Sequence, residues 1–285
     1  MVAHELKRVA QTPRAFSNWP AVLSDMAREK LGGGPETLTF DTRSGRRISC
    51  PNKPGARVPI YEIFAEDCYR LDWFLGPMLS RPIHALDIGA HVGTFSCWFS
   101  KIHPQVTIDC FEPSATTAGF LRRNIEQNGL GNRITVHEAA LAGRSGWAVF
   151  DDNGAGSGMN GLVTGGADAA RGTATKVATS TFDEVVAGLD EPVEFVKMDT
   201  EGGEYELVYN SSPRSWDPVQ RLVLEYHDIP GQSWLRLRDW FAAVGLRVIR
   251  QEPVTENLGT AWLSRESQTA RTAGEAGPGK SVPAG

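Results

Sequence analysis

The chain lacks what a membrane or secreted protein would need. None of its 285 residues falls in an apolar run approaching the roughly 18 residues of a membrane span. Residues 1–14 carry charges throughout, without the apolar core of a secretion signal. A cytoplasmic protein with no membrane partner is expected. Cysteine is also scarce: Cys50, Cys68, Cys97 and Cys110 are widely spaced, with no Cys-x-x-Cys pair. Two of them sit in apolar segments, where a small buried thiol is the ordinary outcome, so neither disulfide nor zinc cluster is expected. Basic residues are outnumbered, with 29 Lys and Arg against 34 Asp and Glu for a net charge of −5, and they form no basic run. A nucleic-acid partner, which needs a basic face to neutralise phosphates, is not expected.

With 41% hydrophobic and 22% charged residues, the chain can bury one domain of about 200 residues beside an N-terminal extension. Residues 1–57 are assigned to that extension, 58–265 to the main domain and 266–285, rich in Ala, Gly, Ser and Pro, to a disordered tail. The extension holds a helix within Met1 to Lys30, a breaker and hinge at Gly32–Pro35, and a hairpin between Glu36 and Pro59 that turns at Ser44-Gly45. A segment from Ile60 to Phe64 then runs into a helix near Tyr69 to Leu79, and this region is expected to act as a lid over the first strand of the sheet.

From Ile83 the pattern alternates strand and helix. Strands are expected at 85–88, 106–111, 134–137, 193–198 and 221–226, with closing strands at 246–251 and 260–264. Helices are expected at 94–102, from the Ser114 N-cap to Asn128-Gly129, and at 181–187, 204–209 and 233–244. Such alternation means an α/β fold built on a doubly wound parallel sheet. The Gly/Ala-rich stretch Asn153–Gly172, flanked by runs at 147–150 and 175–180, has no periodicity and reads equally as a mobile loop over the site or as a disordered insertion.

The first βα turn, Asp87-Ile-Gly89-Ala90-His91-Val-Gly93, selects the ligand. The dinucleotide fingerprint G-x-G-x-x-G needs a middle glycine for the pyrophosphate to approach, and that glycine is absent. Asp87, two residues before the first glycine, would repel phosphate and welcome a cation. Glu112, 23 residues after Gly89 at the end of the next apolar run, can accept both hydroxyls of an adenosine ribose. Together these fit the sulfonium donor S-adenosylmethionine better than NAD, with Asp87, Gly89, Ala90, Gly93 and Glu112 holding it and Glu138 and Ala139 near the adenine.

A second constellation, Lys197-Met-Asp199-Thr-Glu201-Gly-Gly-Glu204, ends another strand. Glu225, His227 and Asp228 should lie alongside it at the carboxyl edge of the sheet, where such folds bind ligands. Methyl transfer needs alignment of donor and acceptor and removal of a proton, so Asp199, Glu201, Glu225 and His227 are expected to face the acceptor, with His227 suited to be the base. Alternatively, Asp199 with Glu225 or Asp228 could hold Mg²⁺. For Glu204 the alternative role is that of a helix-start acid that only caps N–H groups and complements the dipole.

These residues resemble the FkbM-type S-adenosylmethionine-dependent methyltransferases. The resemblance runs through Ile60-Tyr-Glu-Ile-Phe64 with Tyr69, Leu86 to Phe95, Phe111-Glu-Pro113, Ser180-Thr-Phe-Asp183, Val196 to Glu204 and Leu224-Glu-Tyr-His227. It implies a Rossmann-like class I methyltransferase fold, a mostly parallel seven-stranded sheet with helices on both faces, and O-methylation of a sugar or secondary-metabolite hydroxyl. The expectation is therefore a methyltransferase acting on a small-molecule acceptor. The competing readings are a nicotinamide-dependent oxidoreductase and an inactive binding protein on the same fold. The acceptor and the oligomeric state are not legible.

Overall fold

A computed structural model describes residues 2–157, 160–162 and 173–265. The expected tail and most of the Gly/Ala-rich stretch lie outside the described residues.

The apolar runs from Ile83 onward become the strands of a seven-stranded sheet. These are β3 (Ile83–Ile88), β4 (Val106–Phe111), β5 (Ile134–His137), β10 (Val193–Met198), β11 (Arg221–His227), β12 (Arg247–Pro253) and β13 (Leu258–Ser264). Their order is β12-β13-β11-β10-β3-β4-β5. Parallel pairing joins β11, β10, β3, β4 and β5, whereas β13 runs antiparallel to both of its neighbours. The observed fold is thus the mostly parallel α/β sheet expected from the sequence. Strands β3, β4 and β5 step outward in one direction, and β10 and β11 in the other. The chain therefore reverses its winding between β3 and β10, and the loops after those two strands diverge to leave a crevice.

Side-chain alternation along the central strands feeds a core on each face. Ala85, Ile108, Phe195 and Val223 pack with α5 (Thr94–Ile102) and α6 (Ala115–Gln127) through Phe95, Phe99, Leu121 and Ile125. Leu86, Val196, Met198 and Leu224 pack with α7 (Phe182–Gly188), α8 (Glu204–Tyr209) and α9 (Trp234–Ala243) through Phe182, Leu207, Leu237 and Phe241. Local signals set the helix starts: the Ser114 side chain accepts from Thr117 N, and Thr181 forms a reciprocal capping box with Glu184.

The N-terminal region departs from the single expected helix. It forms α1 (Val2–Ala15) and α2 (Trp19–Lys30), separated where Phe16 bridges to Thr42. The hairpin is present as β1 (Thr37–Asp41) paired with β2 (Arg47–Pro51). Phe16, Val22, Phe40 and Ile48 join the same apolar cluster as α5 and the sheet, so this region shares a core with the strands. Asn124 on α6 ties the two together: its amide donates to Ser49 O and Val92 O and accepts from Ser49 N. The segment around Ile60 is helical from Pro54 onward (α3, Pro54–Phe64). The helix expected over 69–79 is reduced to α4 (Leu71–Leu75) and a 3-10 turn, because Gly76 takes a positive φ of 52°.

Between β5 and α7 lies a second sheet of β6 (Ala140–Leu141), β7 (Gly146–Asp152), β8 (Gly161–Leu162) and β9 (Thr173–Ser180), in the order β6-β9-β7-β8. Part of the Gly/Ala-rich stretch is therefore a strand, Gly161–Leu162, paired to Phe150 and Asp151. All four cysteines are free thiols. No described helix is long and apolar enough to cross a membrane.

Candidate active site

A cavity of about 720 Å³ opens at the winding reversal, beyond the carboxyl ends of β3, β4, β10 and β11. That volume lies within the range of small-molecule sites, about 300–1,000 Å³. Its floor is the turn after β3. Gly89 has a φ of 76°, and a Cβ there would lie 1.8 Å from the carbonyl oxygen of Asp199. Asp199 N in turn donates to Ile88 O at 3.0 Å. The loops after β3 and β10 are thereby fastened together, which only a glycine at position 89 permits.

Gly89, Ala90 and Glu112 line the cavity. The Glu112 carboxylate accepts from His91 N and from Ser114 N, both at 2.9 Å. Those bonds orient it and leave one lone pair free on each oxygen. Burial pushes its carboxyl up to about 7, against the opposing pull of the two backbone donors.

Four residues expected to hold the donor, Asp87, Gly93, Glu138 and Ala139, do not line the cavity. Asp87 is fully buried beneath the floor, where it accepts from Ser96 Oγ at 2.6 Å and pairs with Lys197 Nζ at 3.3 Å. Its cation is an internal lysine. Gly93 faces α6, where an added Cβ would meet Leu121 Cδ1 at 2.4 Å, so this glycine serves helix packing. Glu138 is exposed and paired with Arg122, and neither it nor Ala139 reaches the cavity. The wall there is Ala140 and Leu141, because β6 pairs with β9 and brings these next two residues inward.

The acidic constellation converges as expected: Asp199, Glu201 and Glu225 all line the cavity. Glu201 occupies a tight turn with a positive φ of 54°, a conformation that costs energy in a non-glycine residue. Burial and the nearby Asp199 charge push its carboxyl up to about 7. Glu225 is raised in the same way. Asp228 is elsewhere: it accepts from Tyr205 Oη at 2.9 Å and from Trp234 N at 2.6 Å, securing the start of α9. It is not part of a metal set with Asp199 and Glu225.

His227 sits behind these acids. Its Nδ1 lies 3.3 Å from Glu204 Oε1, and its Nε2 lies 3.5 Å from Glu201 and 3.8 Å from Glu225. Burial disfavours its charge, but the hydrogen bond and charge of Glu204, with Asp199 and Glu201, outweigh it and lift the imidazole to about 9. The surrounding carboxylates thus favour the charged imidazole, which yields its proton only to a competing cation or at raised pH. Glu204 makes no cap bond to its helix and instead ties the preceding turn to the imidazole: its Oε1 also accepts from Thr200 N and Oγ1.

Residues given no role from the sequence complete the site. Lys197 is the one Lys or Arg among the described lining residues. It is 4% exposed, donates to Gly89 O at 2.7 Å and stands 3.8 Å from Asp199. Burial disfavours its charge, but Asp87 and Asp199 hold its proton affinity above the ordinary value. Its signal was present, since a lysine inside the apolar run of a central strand requires a buried acid. Glu62 of α3 and Tyr69 form the opposite wall.

A sequence profile described as the Methyltransferase FkbM domain matches residues 87–248. The chain is 26% identical to the methyltransferase sdnD of Sordaria araneosa, over 67% of this chain and 81% of that protein. It is 25% identical to the 31-O-demethyl-FK506 methyltransferase FkbM of Streptomyces tacrolimicus, over 69% and 83% respectively. A 24% identical match to the AMB antimetabolite synthetase AmbE of Pseudomonas aeruginosa covers 67% of this chain but spans only 10% of that protein. Among solved structures, a SAM-dependent methyltransferase from Agrobacterium tumefaciens is 12% identical, covering 82% of this chain and 72% of that one with a TM-score of 0.45. The profile match takes in 162 of the 285 residues, from the floor of the cavity to the edge strand of the sheet, and the chain belongs to the FkbM methyltransferase family.

Proposed function

We propose that this protein transfers a methyl group from S-adenosylmethionine to a hydroxyl of a small natural product or sugar. The observation that carries this reading is the acid-lined cavity at the winding reversal, with Glu112 oriented at its edge by two backbone donors. In this reading, Glu112 accepts the ribose hydroxyls, while Phe111, Leu141 and Phe150 supply an apolar wall for the adenine. The carboxylates beyond Gly89 favour a sulfonium over a pyrophosphate. An oxygen acceptor is supported by the name of the Streptomyces tacrolimicus relative, a 31-O-demethyl-FK506 methyltransferase. The N-terminal extension with α3 acts as the lid, since Gly55, Val58 and Glu62 line the cavity from that side.

In the transfer, the acceptor oxygen forms a bond to the methyl carbon as the carbon–sulfur bond breaks, and the electron pair of that bond returns to sulfur. The acceptor proton passes to the ionised form of Glu225, which lines the cavity 3.8 Å from His227 Nε2 and whose carboxyl burial and Asp199 raise. Positioned general bases contribute about 10²–10⁴-fold. Glu225→Gln is therefore expected to lower kcat by at least about 100-fold while leaving S-adenosylhomocysteine affinity intact. Full turnover by this variant on the true acceptor would remove Glu225 as the base.

Calorimetric titration with S-adenosylhomocysteine, with and without EDTA, tests the donor assignment. One-to-one binding is expected in both conditions. Because the ionised form of Glu112 is the better acceptor and its carboxyl titrates at about 7, affinity should rise with pH. If only the ionised form binds, about 9% of the protein is competent at pH 6 and about 91% at pH 8, so binding should be about tenfold tighter at the higher pH. No binding in either condition would end the methyltransferase reading of this site.

A further inference from the structure

Asp199, Glu201 and His227 bring one oxygen or nitrogen each within 4.8 Å of one another at the cavity edge. Around an ion at about 2.1 Å, neighbouring ligand atoms stand about 3 Å apart. The 3.5 Å between His227 Nε2 and Glu201 Oε2 is within a small side-chain movement of that spacing. The imidazole is held in the orientation that metal ligands take, with its far nitrogen, Nδ1, against the Glu204 carboxylate and Nε2 turned toward the acids. A further observation marks the place: Glu204 Oε2, fully buried beside His227, has no hydrogen-bond partner among the described residues. Among the described residues Asp199 keeps an ion-pair contact with Lys197 Nζ at 3.8 Å and Glu201 one with His227 Nε2 at 3.5 Å, which leaves each carboxylate an oxygen with which to coordinate.

We propose that Asp199, Glu201 and His227 form a binding site for one divalent first-row transition-metal ion. A mixed set of one imidazole and two carboxylates favours Mn²⁺, Co²⁺ or Zn²⁺ over Mg²⁺, which prefers oxygen ligands in near-ideal octahedral geometry. The site stands independently of the donor reading. The role of the ion, holding the acceptor oxygen beside the methyl group and easing loss of its proton, rests on that reading.

The test is direct metal titration of the full chain after stripping with EDTA and dialysis. Co²⁺ binding is followed by visible d–d absorption and by calorimetry, with Mn²⁺ and Mg²⁺ titrated in parallel. One equivalent of Co²⁺ is expected, bound more tightly than Mn²⁺, with Mg²⁺ weakest. His227→Gln and Glu201→Gln should each weaken Co²⁺ binding by at least about 30-fold. Asp239→Asn, on the exposed face of α9, should leave it unchanged, with circular dichroism confirming that each variant is folded. Failure of the wild-type protein to bind Co²⁺ or Mn²⁺ below about 1 mM would overturn the proposal, as would binding that both glutamine variants leave intact. S-adenosylhomocysteine titrated separately in EDTA reads the donor site alone, so failure of the metal site and failure of the methyltransferase reading give different results.

Discussion

Lys197→Met is expected to destabilise the protein by about 3–5 kcal/mol, the range for removing one partner of a buried ion pair. Methionine fills nearly the same space as the lysine stem, so packing in β10 is preserved and the loss is electrostatic. The ammonium donates to Gly89 O and stands 3.3 Å from an Asp87 carboxylate with no exposure to solvent. Without it, Asp87 retains only the Ser96 hydroxyl, and Gly89 O loses its donor at the floor of the cavity. A domain stable by about 5–15 kcal/mol would lose a large part of its margin. Urea unfolding measures the effect, and Asp87→Asn in the same chain should restore much of it by removing the orphaned charge. A loss below about 1 kcal/mol, or no recovery in the double variant, would show that the pair does not carry this load.

Gly89→Ala should weaken S-adenosylhomocysteine binding by at least about 100-fold, because the turn that shapes the floor must move. The added Cβ would sit 1.8 Å from Asp199 O and 2.9 Å from its carbonyl carbon, and both are backbone atoms with no rotamer to escape through. A non-glycine residue held at positive φ costs about 1–3 kcal/mol before any clash is counted. Gly119→Ala is the control: it lies on the exposed side of α6 with nothing within 4 Å of the new methyl group. Alanine there should stabilise the protein by about 0.5–1 kcal/mol and leave binding unchanged. Equal donor affinity in Gly89→Ala and the wild-type protein would mean that the turn is not the donor floor.

The strands and helices of the sheet were legible because their signals are local. Val106–Phe111 and Val193–Met198 are apolar runs of strand length, and Ser114 and Thr181 cap α6 and α7. Alternation of strand and helix then leaves few topologies, and in a doubly wound sheet the carboxyl edge is the ligand edge. That is why the approach of Asp199, Glu201 and Glu225 to one another could be anticipated without coordinates.

Side-chain partners were not legible in the same way. Asp87 stands at the end of an apolar strand, but whether its carboxylate faces the cavity or an internal cation depends on Lys197, more than a hundred residues away and adjacent only because β10 pairs with β3. Asp228 follows His227 directly, yet the start of α9 and Tyr205 claim it. His227 has the side chain of a base, and only the carboxylates assembled around it hold its proton in place. The α3 wall and the Ala140–Leu141 wall arise from packing between segments that carry no shared sequence signal. Sequence alone determined the αβ alternation, the winding and the edge on which the chemistry gathers, because periodicity, capping and turn chemistry act over a few residues. The tertiary structure decided which charges pair, which face the cavity and which hold a proton, because electrostatics and burial sum over everything within several ångströms, whatever its place in the chain.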